Sequence, residues 1–170
     1  MGQTIIDQDM HIRGTLSAQT LAPPAGCITD AAVAASAAID ASKLIRHQSV
    51  DVELCPPGTN VAAINKLLHI ARAAGTLMGF EVAITGAMTG NRTVTIDLQR
   101  STGGGAFATV LTATIGLTSA TVVRTATAGT INTTAVADGD IYQIVVTLGG
   151  SSGTLAQGLL ATLHLEEQYT

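Results

Sequence analysis

The strongest constraint on the fold is a short alternation of apolar and polar residues that recurs from Val50 onward. It is clearest in Val50–Leu54, Phe80–Ile84 and Val94–Leu98, where every second residue is apolar. Because a period of two places successive side chains on opposite faces of a strand, each segment predicts a β-strand with one buried face. Four further segments of related pattern predict strands at Phe107–Ile115, Thr121–Ala128, Ile141–Leu148 and Gln157–Leu165.

Glycine-rich stretches separate these segments and predict turns between them. They lie at Gly86, Gly90, Gly103–Gly105, Gly129, Gly139 and Gly149–Gly150. About eight short strands at this spacing are typical of two packed antiparallel sheets. The sequence therefore predicts a mainly β fold, a jelly-roll-like antiparallel β-sandwich over residues 49–170.

The sequence pattern of segment 61–74 is compatible with either a helix or a strand. Val61, Ile64, Leu68 and Ala71 recur at helical spacing, and Asn60 is a suitable N-cap. We expect a strand from about Leu67 to Ala73, with Val61–Asn65 as a turn or short helix.

Two segments of different amino-acid composition precede the predicted sandwich. Residues 1–27 have few apolar residues and end in Pro23-Pro24 and Gly26, which predicts an extended arm. Residues 28–48 contain ITDAAVAASAAIDASKL, in which Thr29 or Asp30 suits a helix start and alanine favours the helix. We therefore expect a short Ala-rich helix or linker that depends on packing against other elements.

The fraction of charged residues in the chain is unusually low for a protein whose surface is exposed to water. Charged residues make up 12% and apolar residues 46%, whereas about 25% charged is typical of a globular domain. Surface polarity must then come from Thr, Ser, Gly and Gln, which enter a protein contact at modest cost when their hydrogen bonds are satisfied. This composition favours a protein that is covered by neighbours, including copies of itself.

The same composition argues against several other partners. A net charge of −4 without a Lys/Arg cluster disfavours nucleic acid, and 2% aromatic residues disfavour stacking on bases or sugars. The uncharged stretches Gly103–Val123 and Ile141–Leu163 are too rich in Thr, Ser and Gly for membrane spans. Met1–Asp9 lacks a signal-peptide pattern, so we expect folding where the chain is made.

The two cysteines of the chain allow one disulfide bond. Cys27 and Cys55 could pair, but two cysteines in a chain without an export signal are more often free and semi-buried. We expect free thiols.

The motifs that match catalytic patterns have simpler structural explanations. Gly149–Gly153 matches the G-x-S-x-G elbow around Ser151, but a probable strand follows where that elbow needs a helix, and the later histidine is His164. Gly103–Gly105 lacks the Lys-Ser/Thr of a phosphate loop. A hydrolase using Ser151 and His164 is the least favoured hypothesis, and we expect no enzyme activity.

Metal binding is likewise disfavoured. The pairs Asp138/Asp140 and Asp7/Asp9 could begin a calcium site, but no further ligands accompany either pair in the sequence. The histidines at 11, 47, 69 and 164 lack metal-ligand spacing. We predict no catalytic residue, metal or cofactor.

Two parts of the chain resemble structural proteins of tailed bacteriophages. ITDAAVAASAAIDASKL resembles a stretch that recurs in those proteins. The segment HIARAAGTLMGFEVAITGAMTGNRTVTIDLQRSTGGGAFATVLTATIGL is similar to the sandwich domain of phage capsid decoration (cement) or head-fibre proteins. The resemblance covers most of residues 28–165, through phrases such as DLQRSTGGG and VADGDIYQIVV rather than a catalytic signature.

This resemblance implies a homotrimer that binds the major capsid protein on the outer surface of the virion and stiffens the shell. The chain would then be made in the host cytoplasm, with no nucleic acid or membrane as partner. A tail-fibre or receptor-binding module is the alternative. The predicted contacts with sister copies or capsid are Ile5, Ile12, Leu16, Val33, Ala37, Ile39 and Leu44.

Overall fold

A computed structural model describes residues 45–168, which form ten β-strands and no helix. The strands are β1 (Ile45–Asn60), β2 (Ile64–Ile70), β3 (Gly75–Gly86), β4 (Thr93–Ser101), β5 (Ala108–Thr109), β6 (Ile115–Leu117), β7 (Thr127–Gly129), β8 (Ala135–Val136), β9 (Ile141–Gly149) and β10 (Gln157–Gln168). The predicted arm at 1–27 and most of the Ala-rich segment at 28–48 lie outside the described residues. Strand β1 begins at Ile45, before the predicted start of the sandwich at residue 49.

The strands pair as one long antiparallel ribbon that has been rolled up. Each early strand pairs with a late one: β1 with β10, β2 with β9, β3 with β7 and β8, and β4 with β5 and β6. Rolling adds the ladders β10–β3 and β9–β4. The result is sheet A, ordered β1-β10-β3-β7 with β8 on β3, and sheet B, ordered β2-β9-β4-β5 with β6 on β4. This wiring is a jelly roll, as the strand pattern predicts.

The core lies between the two sheets and follows from the period-two alternation. In sheet B the inward residues are Val94, Ile96, Leu98, Tyr142, Ile144 and Val146. They meet inward residues of sheet A, which are Leu77, Phe80, Val82, Ile84, Leu159, Ala161, Leu163 and Leu165. Burial of such side chains stabilises the fold by about 1.5–3 kcal/mol each, before the entropy of ordering them is deducted.

The prediction for segment 61–74 is wrong in its boundaries. The strand covers Ile64–Ile70 rather than Leu67–Ala73, and no helix forms at Val61–Asn65. Leu68 packs against the core, and a bulge between Leu67 and His69 breaks the alternation, so the next residue, His69, also faces inward, opposite Tyr142. The helical spacing of apolar residues therefore arises from a turn followed by a bulged strand.

The predicted strands Phe107–Ile115 and Thr121–Ala128 are largely loop. Only the two-residue β5, the three-residue β6 and the three-residue β7 form there. A turn held by Thr118 and Thr121 precedes the second segment, in which the Thr118 backbone N donates to Thr121 Oγ1 at 2.9 Å, and a further turn at Val123–Arg124 interrupts it. Arg124 then takes a positive φ of 59°, which a strand does not allow.

Candidate interaction surface

The outer face of sheet A carries four carboxylates, those of Asp51, Glu53, Glu81 and Glu166. We call it the charged face, formed by His47, Ser49, Asp51, Glu53, Met78, Glu81, Leu160, Thr162, His164 and Glu166. Its groups pair across neighbouring strands. His164 Nε2 lies 3.6 Å from Glu81 Oε1, and Thr162 Oγ1 donates to Asp51 Oδ1 at 2.7 Å. Four carboxylates nevertheless share this one surface.

The outer face of sheet B is chemically different. We call it the neutral face, formed by Asn65, Leu67, Ile70, Thr95, Asp97, Gln99, Thr109, Ile141, Gln143, Val145 and Thr147. Leu67 is 61% exposed and Ile70 is 49% exposed, on the edge strand β2. Ile141 and Val145 continue this apolar strip onto β9. Among these residues Asp97 is the only ionisable one.

A hydrogen-bonded ladder already satisfies that single carboxylate. Gln143 Nε2 donates to Gln99 Oε1 at 2.9 Å, and Gln99 Nε2 donates to Asp97 Oδ2 at 2.8 Å. Thr109 Oγ1 donates to the other carboxylate oxygen at 2.6 Å. Because hydrogen bonds to a charged acceptor are strong, Asp97 is held within the sheet and needs no external cation. The face therefore presents amides, hydroxyls and aliphatic groups.

Strands β1 and β2 are sheet edges. Each stands at the end of its sheet order, so among residues 45–168 one backbone edge of each strand has no partner strand. Proteins usually protect such edges with charge, bulges or a covering element. Strand β1 carries Asp51 and Glu53, whereas β2 has a bulge and the exposed Leu67 and Ile70. The edge strand with exposed aliphatic side chains, β2, thus borders the neutral face.

A buried polar cluster ties the two sheets together at one end. Glu167 of β10 is fully buried; its Oε1 lies 3.2 Å from His69 Nε2 and accepts from the Arg72 backbone N at 3.1 Å. In sheet B, Asp140 is 1% exposed and its Oδ2 lies 3.4 Å from Arg100 Nη1. Charges in so dry a site need such partners, and the cluster fixes how the sheets meet.

Tyr142 lies in the same cluster, and its phenol lowers the stability of the fold at alkaline pH. Burial raises the pKa of its phenol above the ordinary 10.0, against the opposing positive charge of Arg100. The folded state therefore keeps a proton that the unfolded chain loses above about pH 10, so stability falls as pH rises through that value. We expect the urea midpoint to drop between about pH 8 and about pH 11 by more in wild type than in Tyr142→Phe.

The Tyr142→Phe variant should be neutral or slightly stabilising at neutral pH. The Tyr142 hydroxyl is buried and makes no hydrogen bond of ordinary geometry to a described residue, so its removal costs little beyond its interaction with the nearby Arg100. Equal pH dependence in the two proteins would contradict this account of the phenol.

The seven residues predicted to contact sister copies or the capsid, from Ile5 to Leu44, lie outside the described residues. The pair Asp7/Asp9 lies outside them as well. The sequence pattern alone did not identify the neutral face, because that face depends on strand register. Its signal was present, since Gln143 and Val145 are the polar-side positions of a strand that alternates with buried Tyr142 and Ile144.

The chemical motifs take structural roles. Ser151 lies in a loop where its backbone N donates to Asn91 Oδ1 at 3.1 Å, and strand β10 rather than a helix follows. Asp140 of the Asp138/Asp140 pair is turned to Arg100. Over residues 45–168 no three His, Cys, Asp or Glu side chains converge as metal ligands.

Two further findings concern cysteine and membranes. Cys55 is a buried, free thiol whose Sγ lies 3.1 Å from the Thr59 carbonyl oxygen, while Cys27 is outside the described residues. The described part of the chain contains no helix long and apolar enough to cross a bilayer.

Comparison with known proteins gives distant structural neighbours only. No family model and no curated protein sequence matches the chain. A chain from the structure of infectious bursal disease virus Gx strain is 14% identical with a TM-score of 0.35, over 74% of this chain and 37% of that one. A chain from the Gt strain is 14% identical with a TM-score of 0.33, over 75% of this chain and 38% of that one. The present chain thus spans little more than a third of their length.

Proposed function

We propose that this chain is a non-enzymatic structural protein of a virus particle. More specifically, it is a trimeric decoration or cement protein that binds the major capsid protein on the outer surface of a tailed-bacteriophage capsid. It needs no cofactor, and it is made in the host cytoplasm before it joins the virion.

The observation that carries the proposal is the unequal charge of the two sheet faces. The outer face of sheet A carries four carboxylates, whereas that of sheet B carries one, Asp97, among amides, hydroxyls and aliphatic side chains. Exposed apolar groups beside an unpaired strand edge are a surface that favours association. The jelly roll is used by capsid and lectin domains among others, and the sequence resemblance to decoration proteins favours the first use.

The physical mechanism requires affinity and rigidity rather than turnover. The packed sandwich supplies a rigid body, and symmetric association multiplies weak contacts. If each copy also attaches its 1–27 arm to the shell, three modest anchors act together, because later contacts form at high effective concentration. A shell held in this way resists heat and osmotic stress.

The proposal is tested with purified protein and particles that have been stripped of it. We expect added wild-type chain to restore survival of the particles after heating or osmotic shock. The double variant Ile12→Asp/Leu16→Asp should bind about a hundredfold more weakly, because loss of each anchor is multiplied across three copies.

Matched controls are wild-type chain on particles that were never stripped, and the variant's circular dichroism and melting temperature. Unchanged particle survival with wild-type chain would contradict the cement role. Binding to host cells or a glycan array instead would favour the tail-fibre alternative.

A further inference from the structure

We propose that the neutral face is the surface on which a second copy of this chain packs. The inference rests on the self-association in the proposed function, but not on the number of copies or on binding to a capsid. It assigns the contact to one side of the sandwich, with Leu67 of the edge strand β2 and Val145 of β9 within it.

Charge decides between the two faces. Two copies packed face to face through the charged face, or three copies with that face turned to their threefold axis, would bring Asp51, Glu81 and Glu166 near the same carboxylates of a neighbour. Like charges brought together in a contact are unfavourable. The neutral face brings only one carboxylate per copy to such a contact, Asp97, whose two oxygens already accept hydrogen bonds from Gln99 and Thr109.

Hydrogen-bonding chemistry also suits a second copy. The amide of Gln143 and the hydroxyl of Thr147 each contain both a donor and an acceptor, so identical groups can pair with one another. An apolar strip beside them, Leu67, Ile70 and Val145, supplies the water-excluding part of a contact. A self-complementary face of this kind favours another copy over a strongly charged partner.

The position of the strip adds a further argument. Leu67 and Ile70 lie on β2, whose outer backbone edge has no partner strand among residues 45–168. Within the described chain only one long side chain crosses from this strand to the other sheet's edge: Lys66 Nζ donates to the Glu53 carbonyl oxygen at 3.0 Å. A neighbour packed over β2 and β9 would cover the apolar strip and this edge together.

The test compares one substitution on each face in the full-length chain. Leu67→Glu places a carboxylate in the proposed contact, and Met78→Glu is its matched control, because Met78 is 56% exposed on the charged face. Sedimentation equilibrium gives the dissociation constant of each protein. We expect Leu67→Glu to raise it about thirtyfold or more, and Met78→Glu to change it less than about threefold.

A second variant guards against a folding defect. Val145→Glu should raise the dissociation constant in the same way, and the melting temperature of each monomer is measured in parallel. Equal effects of Leu67→Glu and Met78→Glu, or no effect of either neutral-face variant, would overturn the inference.

If something other than a second copy covers the neutral face, the variants give different results, and those results would also overturn the inference. If residues 1–44 of the same chain cover the face, Leu67→Glu lowers the melting temperature but leaves the mass unchanged. If a capsid protein covers it, only particle binding is lost. A wild-type chain that is monomeric would instead defeat the self-association in the proposed function, so the two failures are distinguishable.

Discussion

Replacing Asp140 by alanine should lower the free energy of unfolding by about 3 kcal/mol, because it leaves a largely buried Arg100 without its counter-charge. Asp140 is 1% exposed, and its Oδ2 lies 3.4 Å from Arg100 Nη1. The same oxygen accepts from the Ala137 backbone N at 2.9 Å, so the variant also loosens the turn that leads into β9. Urea denaturation followed by circular dichroism measures the change.

The matched control is Asp138→Ala in the same turn. Asp138 is exposed, and surface substitutions of this kind usually change stability by less than about 0.5 kcal/mol. Equal destabilisation by the two variants would contradict the role assigned to the Arg100–Asp140 pair. It would show instead that the turn itself, rather than the ion pair, limits stability.

Replacing Phe80 by alanine should cost about 3–5 kcal/mol, since it removes a large side chain from the centre of the core. Phe80 is 2% exposed on β3, between the ladders to β10 and β7. The chain has only two phenylalanines, so small aliphatic neighbours surround the site, and none of them can fill a cavity of that size. The free energy of unfolding in urea is again the measurement.

Phe107→Ala provides the comparison, as the other phenylalanine of the chain is 37% exposed. Its removal should cost less than about 1 kcal/mol. If the two substitutions cost the same, Phe80 does not occupy the packed interior between the sheets.

Long strands with strict alternation were predictable from the sequence. The segments Ile141–Leu148 and Gln157–Leu165 were predicted, and the strands run over Ile141–Gly149 and Gln157–Gln168. In both, the buried positions follow every second residue, so hydrophobic burial alone determines the pattern. The jelly-roll class followed from the number and spacing of such segments.

The short strands β5 to β8 were not predictable in the same way. Segments such as Thr121–Ala128 are rich in Thr and Ala, which suit a strand or a hydrogen-bonded turn equally well. Tertiary contacts decide between them. The Arg124 backbone N donates to the Ile84 carbonyl oxygen at 2.8 Å, a contact between residues far apart in the sequence.

The polar cluster and the neutral face depend on register and so were hidden in the sequence. Nothing local links His69 with Glu167, which are 98 residues apart and meet only after the ribbon has rolled. The neutral face likewise needs β2, β9 and β4 in adjacent positions before Leu67, Gln143 and Gln99 form one row. The low fraction of charged residues was visible in the composition, but the placement of four carboxylates on one sheet face was not.

Both the proposed function and the assigned contact surface require that the chain associates with copies of itself. The mass of the wild-type chain in solution tests this self-association most directly. Sedimentation equilibrium of the full-length protein over a wide concentration range is expected to give three times the chain mass of 17.2 kDa. A single species of 17.2 kDa at every concentration would contradict the account.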